Sequence, residues 1–208
     1  MAYCGSGNTI VTNQLLEISV SDGQRWAKCH IYAFEFYRRP DHCLQLVSRM
    51  TKSCDPHIRY GAAMAMGVAC AGTASKDAVS LLLQMIPDET SFVRQGVFIA
   101  LSMIYMQCNE TMDPKSLKFR RTLLRTISED GEDPLAKFGA TIGCGILDAA
   151  GSAATISLYE GTDYVSTPAA IGLLVFVHMW FWYPLGHFLS LALQPTCIIG
   201  VNPHLKVA

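Results

Sequence analysis

An all-α superhelix of stacked helical hairpins is the fold class this sequence predicts, and three observations predict it. Asp-Pro steps mark helix starts at Asp55-Pro56, Asp113-Pro114 and Asp133-Pro134. A short pattern recurs at Arg59-Tyr60-Gly61-Ala62-Ala63, Arg94-Gln95-Gly96-Val97-Phe98 and Lys137-Phe138-Gly139-Ala140-Thr141. Its glycines lie 35 and 43 residues apart, and a period of roughly 35 to 45 residues with two helices per unit marks an α-solenoid.

Composition narrows the function classes. Of the 208 residues, 50% are hydrophobic and 16% charged, against about 25% charged in an ordinary soluble domain. A chain this apolar is not intrinsically disordered. Sixteen basic residues against seventeen acidic ones leave a net charge of −1. With no overall positive field to draw phosphate, the class of basic nucleic-acid binders is set aside.

The elements follow in chain order. Ala2-Tyr3-Cys4-Gly5-Ser6-Gly7 echoes Ala69-Cys70-Ala71-Gly72-Thr73-Ala74, 67 residues later and so about two periods on. No basic segment followed by an apolar one opens the chain, so no signal peptide is expected. Trp26, Tyr32, Phe34, Phe36 and Tyr37 then crowd five aromatics into twelve residues. Trp26, His30, Ala33, Phe34 and Tyr37 share one helical stripe. A bulky core helix, an aromatic binding surface and a locally irregular segment all remain open there.

Asp55 caps a helix from Pro56 to about Ala71, with Gly72 as its left-handed stop. Ser75 caps a second, ending near Ile86 before Pro87. A third spans about 91–107, a fourth about 115–128 and a fifth about 135–150, stopped by Gly151. Gly61, Gly67, Gly139 and Gly143 sit inside these helices, where each costs about 1 kcal/mol against Ala. Close approach of a neighbouring helix offsets that cost. The fourth helix carries Lys115, Lys118, Arg120, Arg121 and Arg125 on an amphipathic frame with Leu117, Leu123, Leu124 and Ile127, and Glu129, Asp130, Glu132 and Asp133 follow it. Lys115 to Arg125 is the candidate contact surface for an acidic partner, and a plain solvated outer face is the alternative.

Near residue 154 the chain turns dry. From Tyr164 to Leu205, 42 residues contain no Asp, Glu, Lys or Arg. Ala169 to Leu193 is long enough to cross a bilayer, but Pro184 leaves only Ala169 to Tyr183 uninterrupted, about 22 Å at 1.5 Å per residue. The pattern leaves a membrane span and a fully buried helix equally open. On either side, Thr155 to Tyr159 and Thr196 to Val201 are β-prone and are expected to pair.

Reactive chemistry is thin. The eight cysteines are scattered without a CxxC and read as free thiols of a reducing compartment. Cys29-His30, His42-Cys43 and Cys54 with His57 lack the second half of a zinc site. Gly143-Cys144-Gly145 lacks the third glycine of a dinucleotide fingerprint. Gly5-Ser6-Gly7 lacks the spacers of a nucleophile elbow. His178 and His187 flank Pro184 and read as hydrogen-bonded core residues. No catalytic, cofactor-binding or metal-ligating residue is singled out, and no cofactor is expected.

The segments HIRYGAAMAMGVACAGTASKDAVSLL and SFVRQGVFIALSMI resemble proteasome/cyclosome repeats. AKFGATIGCGILDAAGSAATISL, followed by GLLVFVHMWFWYPLGHFLSLALQPTCIIGVN, resembles the branch of that family found in the proteasome regulatory particle. The resemblance covers about 1–20 and 43–208. The stretch around Trp26 departs from it, since the family pattern has an acidic residue, a Val-Arg pair and small residues there.

The resemblance implies a solenoid or toroid of helical hairpins with apolar helices along its middle. Residues 1–154 would hold about four repeats. Residues 155–208 would hold a buried axial helix with flanking strands. It implies a non-catalytic scaffold in the base of the regulatory particle, supporting ubiquitin-dependent degradation in cytoplasm and nucleus. Its partners would be ATPase-ring and other regulatory-particle subunits, with no nucleic acid and no membrane. The family's tail for a ubiquitin receptor would lie beyond Ala208, so that docking is not expected of this chain. An integral membrane protein using residues 169–193 and a repeat scaffold of the anaphase-promoting complex are the rivals. The FWYPLGHFLSLA tract favours the proteasome over the latter.

Overall fold

The computed structural model describes residues 39–161, 164–179 and 183–197, together with Ile10, Phe34, Tyr37 and Pro203. The echo at 2–7, most of the aromatic stretch and residues 198–201 lie outside the described residues. Seven α-helices are described: α1 (Pro40–Val47), α2 (Pro56–Ala69), α3 (Lys76–Met85), α4 (Ser91–Ile104), α5 (Pro114–Ser128), α6 (Pro134–Leu147) and α7 (Thr167–His178).

Their starts are where the capping residues put them. The carboxylates of Asp55, Asp113 and Asp133 accept bonds from the backbone N–H groups of His57, Lys115 and Leu135, and the Ser75 hydroxyl accepts from Ala78. Each cap satisfies a donor that the first helical turn leaves unpaired. Two ends come earlier than expected. α4 stops at Ile104 ahead of Gln107, whose φ is +67°, and α6 stops at Leu147 because Ala150 and Gly151 take φ of 50° and 65°. A left-handed residue ends the run of i to i−4 bonds.

The helices form two rows. α2, α4 and α6 make the inner row, α2 packing on α4 and α4 on α6, while α1, α3 and α5 pack outside α2, α4 and α6 respectively. Burial is deepest in the first two inner helices and falls to six of fourteen residues in α6. Ten of the fourteen residues of α2 and eleven of the fourteen of α4 are buried, against three of fifteen in α5.

Glycine sets the spacing of the inner row. A Cβ on Gly96 would lie 2.6 Å from the Tyr60 ring, and one on Gly139 would lie 2.6 Å from Gln95 Cα. Tyr60 and Gln95 each follow the pattern's basic residue, and Gly96 and Gly139 each stand two places after it. The α2–α4 contact is therefore repeated, position for position, in the α4–α6 contact. A second small-residue contact repeats as well: a Cβ added to Gly67 would lie 2.6 Å from Ala100 Cα, and one added to Gly143 would lie 2.6 Å from Ser102 Oγ. The helix-propensity cost of these glycines is offset by close backbone packing.

The apolar segment folds back on itself. α7 ends at His178, five residues short of the expected Tyr183, and a 3-10 run from Tyr183 to Ala192 returns along it. Proline has no N–H and blocks an α-helix through position 184, and Pro184 stands in the 3-10 run that packs on α7. Gly172 of α7 leaves room for the Phe188 carbonyl oxygen, 2.6 Å from where a Cβ would sit. No helix among the described residues is long and apolar enough to cross a membrane.

The expected strand pair exists in a shifted register. β1 (Ala154–Ile156) pairs antiparallel with Leu193–Pro195, with Thr155 opposite Gln194. The second strand therefore begins three residues before the expected Thr196. The 3-10 run delivers the chain directly beside β1, where Ser157 N–H donates to the Ala192 carbonyl and Thr196 N–H to the Ala153 carbonyl. Between them lies a small hairpin that the sequence reading missed, β2 (Tyr159–Glu160) with β3 (Tyr164–Val165), which makes Leu193–Pro195 β4.

Candidate interaction surfaces

The recurring basic residue is an inter-repeat clamp. Arg59 donates through Nε to Asp88 Oδ2 at 2.7 Å and through Nη2 to Asp88 Oδ1 at 2.9 Å. Its Nη1 donates to the carbonyls of Ser53 and Cys54, just ahead of its own helix. Arg94 repeats the backbone half of the arrangement and makes one side-chain bond in place of the fork. Its Nη1 donates to the Asp88 and Glu89 carbonyls and its Nη2 to Glu132 Oε1. Each arginine thus ties the loop before its own helix to an acid before the next inner helix. Asp88 serves both clamps, with its carboxylate on Arg59 and its carbonyl on Arg94.

The clamp's electrostatics follow from that geometry. Burial alone would raise the Asp88 carboxyl. The Arg59 fork and bonds from Thr90 outweigh it and hold Asp88 below the ordinary range, while the bond to Asp88 raises Arg59. Sequence reading assigned Glu132 and Asp133 to one acidic cluster. The structure splits it: Glu132 takes Arg94, Asp133 caps α6, and Glu129 and Asp130 remain exposed. The missed signal is an acid six residues before Arg94 and another five before Lys137.

Lys115 to Arg125 is likewise divided. Arg120 is drawn down to Asp148, donating at 2.8 and 3.1 Å, and that bond lowers Asp148 and raises Arg120. Lys115, Lys118, Arg121 and Arg125 stay exposed.

The apolar α7 is covered along one face. Ala169, Ala170, Leu173, Phe176 and Val177 are buried, while Ile171 is 46% and Leu174 38% exposed. A residual space of about 10 Å³ under Phe176, bounded by Tyr60, Met64, Gln95, Ile99 and Phe138, places α7 against the inner row. Most of the cover on α7 comes from the returning 3-10 run, with the inner row meeting it around Phe176, and Ile171 and Leu174 face outward with Leu191 of that run, which is 48% exposed. His178 and His187 are exposed, which corrects their reading as core residues. They lie beyond the covered face, at the end of α7 and on the returning run.

The aromatic stretch reaches the described residues at its end. Phe34 is in the core, and the Tyr37 hydroxyl donates to the Ile156 carbonyl at 2.7 Å. Trp26, His30, Ala33 and Phe36 lie outside the described residues. Cys43, Cys54, Cys70, Cys108, Cys144 and Cys197 are free thiols. Burial, with a smaller contribution from Asp41, pushes Cys70 up to about 12, and burial raises Cys108 and Cys144. Among the described residues no group of three or more His, Cys, Asp or Glu is placed to hold a metal ion.

Comparison with known proteins agrees with this architecture. The proteasome/cyclosome repeat model matches residues 61–95, from the first pattern's glycine to the start of the second. The chain is 44% identical to the 26S proteasome non-ATPase regulatory subunit 1 of Drosophila melanogaster, over 100% of this chain and 21% of that protein. It is 41% identical to the 26S proteasome regulatory subunit rpn2 of Schizosaccharomyces pombe, over 99% of this chain and 22% of the relative. Against the Dictyostelium discoideum non-ATPase regulatory subunit 1 it is 36% identical, over 99% of the chain and 21% of the relative. The chain thus spans about a fifth of the length of these relatives.

Proposed function

We propose that the chain is a member of the proteasome/cyclosome repeat family and acts as a non-catalytic scaffold in the base of the proteasome regulatory particle. It would serve ubiquitin-dependent degradation by holding ATPase-ring subunits and ubiquitin-processing subunits in fixed relation. Such a role belongs in cytoplasm and nucleus. The observation that carries the reading is the repeated register of α2, α4 and α6. Two successive inner contacts use the same positions, and in two successive loops an acid takes the preceding arginine, Asp88 through a two-bond fork and Glu132 through Nη2 alone. A lattice of that kind is a stiff support. Its outward faces, the apolar one on α7 and the cationic one on α5, are the surfaces that others can use.

The relatives' printed names support the regulatory-particle setting, since each is a regulatory subunit of the 26S proteasome. The test is recovery of tagged chain from cells with quantitative mass spectrometry and alkaline carbonate extraction. The scaffold reading expects the chain in the extractable fraction, enriched for ATPase and non-ATPase regulatory subunits. Enrichment of anaphase-promoting complex subunits, or retention in the membrane pellet, contradicts it.

A further inference from the structure

One described helix is purely cationic. α5 carries five basic residues and no acidic one, in a protein whose net charge is −1. Neither of the other outer helices is cationic: α1 contains Asp41 and no Lys or Arg, and α3 sets Lys76 beside Asp77. Arg120 is neutralised by Asp148. Lys115, Lys118, Arg121 and Arg125 are spaced three, three and four residues apart, so they share one helical face. All four are exposed, and they form no ion pair among the described residues. Between Arg121 and Arg125 stands Leu124, 54% exposed. The buried side of α5, with Phe119, Leu123 and Thr126, already packs on α6. The cationic face is therefore not needed to hold the helix in place.

We propose that this face of α5 docks an acidic, amphipathic helical segment of a partner protein, whose carboxylates meet Lys115, Lys118, Arg121 and Arg125 and whose apolar side chain rests on Leu124. Size and flanking charge select a protein segment. The face is about 15 Å long, and it is bounded by exposed Glu110 at one end and by exposed Glu129 and Asp130 at the other. A DNA duplex or an anionic bilayer extends past both ends and meets those carboxylates. An acidic helix of about three turns fits between them. Leu124 calls for an apolar side chain, which neither phosphate nor a lipid headgroup supplies. The docking does not depend on the proteasome reading, because it follows from the charge and exposure of α5 alone.

The test uses the full chain and a fluorescein-labelled amphipathic peptide of Glu and Leu, read by fluorescence anisotropy. The expected result is binding that weakens about tenfold or more between low and high salt, since exposed charge pairs are screened. Lys118→Glu with Arg121→Glu should weaken it at least about tenfold, and Leu124→Ser about threefold. Because these side chains are exposed, circular dichroism and the melting temperature should stay the same. Lys118→Gln with Arg121→Gln repeats the comparison without adding acid to the helix and should weaken binding in the same direction. Unchanged peptide affinity in both charge variants overturns the proposal. So does tighter binding of a DNA duplex, or of vesicles containing phosphatidylserine, than of the peptide at the same salt.

Discussion

Arg59 and Asp88 meet in a two-bond fork, 2.7 and 2.9 Å long, that joins the start of one inner helix to the loop before the next. Both side chains are largely buried, at 18% and 11% exposure. The guanidinium's third nitrogen is held by two backbone carbonyls, so the fork is fixed from both sides. A bidentate charged pair of this kind is shape-specific.

Asp88→Asn should therefore destabilise the chain by about 1.5–3 kcal/mol, the range for a lost hydrogen bond to a charged group. Arg59→Lys keeps the charge but not the fork, and should cost about 1–2 kcal/mol. Urea unfolding followed by circular dichroism measures both.

The same pair sets an acid limit. Asp88 has a folded pKa below its unfolded value, so its contribution is complete above an unfolded pKa of about 3.9 and drains away as pH falls through the folded value. Wild type and Asp88→Asn should differ in stability at neutral pH and converge in acid. Unfolding curves at stepwise lower pH measure the convergence. A gap that widened in acid would contradict the clamp.

Thiol chemistry should follow burial. Cys70 sits buried with its pKa pushed up to about 12, so almost none of it is thiolate at neutral pH. Iodoacetamide on the native chain should leave Cys70 unmodified while exposed Cys54 and Cys197 react, as mass spectrometry of the digest would show.

α7 should respond to substitution on one side. Leu173, fully buried, should cost about 2–5 kcal/mol when changed to Ala. Ile171, 46% exposed, should change stability by less than about 1 kcal/mol when changed to Ser. Equal losses would mean that the helix is enclosed all round.

Much of this was readable because it is local. Asp-Pro and Ser caps act within three residues, and Asp55, Ser75, Asp113 and Asp133 start their helices accordingly. The Arg/Lys-x-Gly pattern located the inner row, since a glycine in mid-helix needs a close neighbour to justify it. What escaped depends on distant partners. Glu132 is marked only by standing five residues before Lys137, as Asp88 stands six before Arg94, while the arginine it takes lies 38 residues away. The β1–β4 register is set by where the 3-10 run delivers Leu193, not by the β-propensity of Thr196 to Val201. Five cations in a row looked uniform, yet the position of Asp148 takes Arg120 out of the exposed face.

Fixed-register stacking of the inner row is tested most directly by moving one methyl group between two glycines of α6. Gly139 lies against the Gln95 backbone, whereas a Cβ on Gly145 meets nothing within 4 Å. Gly139→Ala should lower stability by about 1–3 kcal/mol through overpacking. Gly145→Ala should raise it by about 0.5–1 kcal/mol, since Ala is the better helix former in open space. Thermal melts of the two variants side by side give the answer. Opposite shifts support the glycine-stacked row, and a Gly139→Ala chain as stable as Gly145→Ala contradicts it.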